Sequence, residues 1–428
     1  MRGTRWVAGA VALAVSTIAA GCSSGSDSKT EAPAATTVAR TADRYHVYWD
    51  ENEEEDSIGE PSGRVSQLIA PWDPNGQLCV LPDGRFVVGY NPTLPSQHNP
   101  GSEKPYKQPP VGEALYGPDG SFTGHSLYVP GPYHMPGQTV GGDIPPDAAH
   151  ATFNDNGTMT GCAVDHEGNV FATDLGTAQG DFPSPDDGRL IEWFAPGYDQ
   201  ACVVYGPTSG GVGPHHVDGH GGLRQPGDMA VDAHDDLYVP EGGNAVGSVP
   251  AGRVLRFAHA QFPADASECP GNMYPRGRVS PATFIQGNLS FLGFPQSIAR
   301  DPSCNCWAVD TVFGDPAVAW FDDNGHRLAD HATIPGESLA HLGDPNGYNP
   351  FGIAFGPEGT LYLVDIHIHC KSPLVGCGPA SKAGRVLQFR FTNGKPDQPV
   401  MLAHGLDFPT SVTVCVPSPN QVCPTRGA

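Results

Sequence analysis

One pattern recurs along most of this chain and restricts its fold more than any other feature. Residues 349–389 show it most fully. Ile353 and Phe355 alternate at strand period, the turn Gly356-Pro357-Glu358-Gly359 follows, Leu361, Leu363 and Asp365 alternate again, and Gly384-Arg385-Val386-Leu387 begins a third strand. Units of the same kind occupy 78–90, 161–174, 228–241, 297–310 and 352–365. In four of them the end of the first strand and the acid ending the second keep one spacing: Asp165 to Asp174, Asp232 to Glu241, Asp301 to Asp310 and Gly356 to Asp365.

No long amphipathic helix interrupts these units. Third strands are predicted at 188–194, 252–257, 317–321 and 384–389, and fourth strands at 201–205, 283–286 and 399–402. A further first strand at 409–415 ends the chain without partners, and the segments 45–49 and 63–70 can supply them. The implied fold is all-β: a six-bladed β-propeller over residues 44–428, closed by N- and C-terminal strands in a shared blade, which removes exposed sheet edges. Composition agrees, since 55 Gly and 44 Pro in 428 residues suit many short strands joined by turns.

The N-terminus carries an address. Arg2 and Arg5 precede an apolar run from Trp6 to Ala20, and Ile18-Ala19-Ala20-Gly21-Cys22 resembles a bacterial lipobox. Residues 1–21 therefore read as a lipoprotein signal peptide, Cys22 as the lipid attachment, and 22–43, rich in Ser, Thr and Ala, as a flexible tether. This places the protein at the cell membrane, lipid-anchored on the extracytoplasmic side; an ordinary secretory signal with an incidental cysteine is the alternative.

Ten cysteines remain beside Cys22, an even number in an exported chain, so disulfides are expected. Cys370 with Cys377 and Cys415 with Cys423 are spaced to staple local loops; Cys304-Asn305-Cys306 reads as disulfide-forming or as a thiolate metal pair, and the remaining pairing stays open. A net charge of −23 excludes a nucleic-acid partner and leaves the lipid as the membrane contact. The acidic run Asp50–Asp56 reads as a solvated loop, with calcium binding as the alternative.

In a four-stranded meander, the connection into strand one and the connection leaving strand two share a face. Long polar segments at 91–110, 129–156, 206–226, 335–350 and 366–383 fall there, and such loops on a rigid scaffold commonly carry function. The same face receives Asp174, Glu241, Asp310 and Asp365. His367-Ile368-His369 sends two imidazoles the same way if extended, and His215, His216 and His220 are the next candidate ligands. With Asp310 these residues could hold one divalent ion, calcium or zinc, for hydrolysis. The structural alternative pairs Asp174 with Arg189, Glu241 with Arg253 and Asp365 with Arg385, leaving Asp310 as the acid without an arginine.

These units resemble the NHL-repeat and senescence-marker/gluconolactonase-like group of six-bladed propellers, whose motif reads P-x-G-I-A-x-D, then G-x-L-Y-V-x-D, then G-R-V-x-x-F. The resemblance spans about residues 44–416. It implies the fold and, for the lactonase branch, a metal held by a glutamate, asparagines and an aspartate at first-strand starts. Here those places hold Gly161, Gly227, Gln296, Phe351 and Thr410, with Asp228 displaced by one residue. Two functions follow as expectations: a scaffold that binds a small molecule or protein on the long-loop face, or a metal-dependent lactonase- or esterase-like hydrolase using Asp310, His367 and His369.

Overall fold

The computed structural model describes residues 45–49, 57–59, 65–67, 74–90, 113–127, 159–174, 188–206, 222–242, 252–288, 291–312, 314–329, 331, 333–337, 347–372, 376–379, 382–406 and 409–424. The expected signal peptide with Cys22, the expected tether, the acidic run 50–56, and His215, His216 and His220 lie outside these residues.

The described strands form antiparallel meanders. Sheet A contains Pro74–Val80, Phe86–Tyr90, Glu113–Tyr116 and Phe122–Leu127. Sheet B contains Met159–Val164, Val170–Asp174, Arg189–Trp193 and Ala201–Tyr205. Sheet C contains Ala230–Val231, Leu237–Glu241, Arg253–Phe257 and Ala282–Gln286. Sheet D has Ile298–Asp301, Cys306–Asp310 and Val318–Phe321, and sheet E has Pro350–Phe355, Leu361–Asp365, Gly384–Phe389 and Val400–Leu406. A closing sheet joins the two ends of the chain: Val412–Cys415 pairs antiparallel with His46–Trp49, which continues through Ser57–Gly59 to Val65–Gln67.

The molecule is thus an all-β propeller. Five blades are four-stranded among the described residues, where the repeats predict six. Sheet D has three strands among the described residues: after Phe321 the chain turns tightly, through Asp322 to Gly325, and meets the third strand at isolated bridges, Phe321 with Arg327 and Val318 with Ile334. Ser57–Gly59, a short strand beside the acidic run, is an element the alternation did not mark.

Packing explains why the second strands of sheets C, D and E are buried throughout. Successive side chains of a strand point to opposite faces, and here both faces are covered. Leu237 and Val239 pack toward sheet B, while Tyr238 packs toward sheet D. Cys306 and Ala308 face sheet E, while Trp307 faces sheet C. Leu361 and Leu363 face sheet D, while Tyr362 and Val364 meet Val47 and Trp49 of the closing sheet. Tyr48 and Cys415 in turn pack on Leu78 and Phe86 of sheet A, and Cys79 and Val87 on Cys162 and Ala172 of sheet B.

Hairpin turns between first and second strands use a carboxylate. Asp165 accepts from the Asn169 amide at 2.8 Å, Asp232 from the amides of His234 and Asp236 at 2.8 and 3.0 Å, and Asp301 from Ser303 at 2.9 Å. Gly168 supplies the positive φ, 87°, that closes its turn. Four disulfides are formed among the described residues: Cys79–Cys162 between sheets A and B, Cys202–Cys269, Cys304–Cys306 and Cys415–Cys423. Strand register sets Cys370 opposite Cys377.

Candidate functional site

The acids at the ends of the second strands mark one face of the propeller, and each described carboxylate there holds backbone. In sheet E, register aligns Pro350, Asp365, Arg385 and His404 across the strands. Asp365 accepts from the amides of Asn349 at 3.0 Å and His367 at 3.1 Å and pairs with Arg385 at 2.7 Å. In sheet C, Glu241 accepts from the Arg224 amide at 2.9 Å and pairs with Arg253. In sheet B, register sets Arg189 opposite Asp174.

Asp310 sits at the same place in sheet D, opposite Val318 instead of an arginine. Its Oδ1 accepts from the amides of Gln296 at 3.0 Å and Ser297 at 2.6 Å. The carboxyl is fully buried, its Oδ2 has no hydrogen-bond partner, and burial, with Asp228 nearby, raises its pKa well above the usual carboxylate range. A buried carboxyl that accepts from two amides is a cap on the entering chain.

At the centre, the first strands approach more closely than side chains allow. A Cβ on Gly161 would lie 2.3 Å from the Gly227 carbonyl oxygen, and one on Gly227 would lie 2.0 Å from that of Gln296. Hydrogen bonds stitch the same contacts. The Asp228 amide donates to the Gln296 carbonyl at 2.6 Å, the Cys162 amide to Asp228 Oδ1 at 3.3 Å, the Ile353 amide to Ser297 Oγ at 3.3 Å, and the Leu78 amide to Ser411 Oγ at 3.1 Å. Glycine at these starts is a packing requirement. A metal-binding side chain in place of Gly161 or Gly227 would displace the neighbouring backbone.

His367 lies apart from Asp310. It adopts φ 47° just past the second strand of sheet E and lines an open cleft of about 450 Å³ with Lys382, Ala383, Arg385, Met401, His404 and Gly405. Val312, Ile366 and Ile368 form a small buried apolar cluster against which Phe294 and Phe351 pack. The cleft therefore gathers basic and imidazole groups on a chain of net charge −23. His369 follows within the strand Ile368–Ser372.

Two features escaped the pattern of repeats. Glu192, in the third strand of sheet B, is buried with Oε2 lacking a partner, and burial pushes its pKa up to about 9 with help from Asp165 and Glu167. Nothing in its sequence context separates it from a solvated strand residue. Second, His331 comes within ligand distance of Cys304 and Cys306, from a segment too irregular for strand periodicity to reveal.

No family model matches the chain, and no curated protein matches it. Solved structures that are similar include a protein assigned as a gluconolactonase, at 13% identity over 75% of this chain and 81% of its own, TM-score 0.41. Regucalcin, a calcium-binding protein from Agrobacterium tumefaciens, is 13% identical over 74% and 77%, TM-score 0.41. Aldose sugar dehydrogenase from Streptomyces coelicolor, in a PQQ-bound form, is 14% identical over 79% and 84%, TM-score 0.40. The fold rests on the sheets themselves, which make the chain an all-β propeller.

Proposed function

We propose that this protein is a lipid-anchored, extracytoplasmic propeller that binds a small anionic ligand, one bearing carboxylate or phosphate groups, on the face where the second strands end. The observation that carries this reading is the cleft beside His367, whose lining includes Lys382 and His404, with Arg385 already paired to Asp365, although the chain as a whole is strongly acidic. Its volume, about 450 Å³, falls within the range of small-molecule sites. The carboxylates that a hydrolytic metal would need already have partners: Asp365 and Glu241 are paired with arginines, and Asp310 accepts from buried amides. A binding scaffold fits this arrangement better than a lactonase or esterase.

We further take the ring to be six-bladed, with sheet D as the blade whose outer strand is reduced to bridges at Arg327 and Ile334. Support comes from the six apolar clusters, each of which joins one sheet to the next and the last to the first. Anchoring through Cys22 would hold the ring beside the membrane by way of residues 22–43.

Calorimetry against a panel of small di- and tricarboxylates and phosphate esters tests the binding reading. One or more should bind, and Lys382→Gln should weaken binding at least tenfold. Failure of the whole panel, or a lactonase activity abolished by His367→Ala, would favour the hydrolase instead. Fractionation tests the anchor: Cys22→Ser should release the protein from membranes, and full retention would count against acylation.

A further inference from the structure

Three metal-ligating side chains meet on sheet D, away from the cleft. Cys304 and Cys306 flank Asn305 in the turn that opens the second strand, and His331 arrives from the chain beyond the third. The two sulfurs and an imidazole nitrogen all lie within 4.8 Å of one another. Cys306 is buried, while Cys304 and His331 are partly exposed.

The Cys304–Cys306 bond differs from the other bridges in what it joins. Cys79–Cys162 links two sheets across a separation of 83 residues and Cys202–Cys269 spans 67, whereas Cys304 and Cys306 are 2 apart. A disulfide stabilises mainly by shortening the loops of the unfolded chain, so one that spans a single residue contributes least to the fold. Its opening leaves the turn held by other groups. Asp301 Oδ1 accepts from the Ser303 amide at 2.9 Å and its hydroxyl at 2.7 Å, and Asp301 Oδ2 accepts from Trp320 Nε1 at 2.9 Å. The Trp320 and His331 rings lie near-parallel, with centroids 6.4 Å apart and an interplanar angle of 28°.

We propose that Cys304, Cys306 and His331 form a redox-gated site that takes one soft metal ion, of the Zn²⁺ or Cu⁺ class, when the disulfide is reduced. Two thiolates and an imidazole are a donor set suited to such ions, and the partly exposed side near Cys304 leaves a fourth position for water or an external ligand. Opening the site consumes two electrons and two protons from a thiol reductant, which is itself oxidised to a disulfide. The S–S bond breaks, two thiols form, and metal binding then releases their protons. The oxidised pair has no thiolate to offer, so metal occupancy reports the redox state of the surroundings.

The test uses the full chain and Zn²⁺ as the probe. Graded reduction followed by differential alkylation and mass spectrometry identifies which bridges open, and equilibrium dialysis counts bound zinc. The expected result is one zinc per chain once Cys304–Cys306 is open and none before, with a thiolate-to-metal charge-transfer band on Cd²⁺ substitution. Cys304→Ser and His331→Ala should each weaken zinc binding at least tenfold while leaving the circular dichroism of the metal-free protein unchanged. Zinc binding that survives in both variants, a reduced pair that takes no zinc, or a Cys304–Cys306 bond that stays closed when the longer-range bridges have opened would each overturn the proposal.

Discussion

Glu192→Gln should make the protein more stable, and increasingly so as pH rises. The Glu192 carboxyl is 2% exposed, Oε2 has no partner, and burial raises its pKa from 4.5 to about 9. Between those values the folded state keeps a proton that the unfolded chain has released. The stability associated with the neutral carboxyl is therefore complete below about pH 4.5 and is lost as pH rises toward about 9. Each pH unit in that window costs about 1.4 kcal/mol, so the span from about pH 5 to about pH 8 amounts to roughly 4 kcal/mol. Glutamine matches the shape of the protonated acid and does not titrate, so the variant lacks this loss. Urea unfolding of both proteins at intervals across the window, followed by tryptophan fluorescence, measures it. A stability difference that stays constant with pH, or that shrinks as pH rises, would refute the reasoning.

Other consequences are open to the same kind of measurement. Asp310→Asn should stay within about 1 kcal/mol of the parent, because an amide oxygen can accept from Gln296 and Ser297 as the carboxyl oxygen does; Asp310→Ala should cost about 2–3 kcal/mol by stranding those amides. Chemical denaturation of the pair distinguishes a cap from a charged ligand, for which asparagine and alanine would be equally damaging to metal binding. Replacing Cys79 and Cys162 together by alanine should cost about 4–5 kcal/mol, from the 83-residue separation their bridge closes. An unchanged unfolding midpoint would contradict that.

Much of the architecture was legible because three of the units carry two acids, most of them with a backbone task. The acid at the end of the first strand, as in Asp165 and Asp232, builds the hairpin turn, and the acid at the end of the second, as in Glu241 and Asp365, caps the chain entering the sheet. Their fixed spacing is the strand length that separates those tasks. The outer part of sheet D was not legible, since isolated bridges at Arg327 and Ile334 impose no alternation on the sequence. Nor was the Cys79–Cys162 pairing, because adjacency of two first strands is a property of the ring, not of the intervening 83 residues. Gly161 and Gly227 read in the sequence only as places where metal ligands are missing. Their contacts with the carbonyls of Gly227 and Gln296 give the physical reason, which is lack of space. His331 was invisible beside Cys304 for a similar reason: the third strand of sheet D lies between them in the chain.

The pairing of His46–Trp49 with Val412–Cys415 ties assembly to biosynthesis. His46–Trp49 leaves the ribosome well before Val412–Cys415 and must wait for it. At typical elongation rates of about 5–20 residues per second, the intervening chain takes roughly 20 to 70 s to appear. Throughout that interval the nascent protein carries an unlatched strand bearing Val47, Tyr48 and Trp49, side chains that the finished molecule hides completely. Removal of Val412–Cys415 would make that condition permanent, and the expected outcome is strand exchange between neighbouring copies.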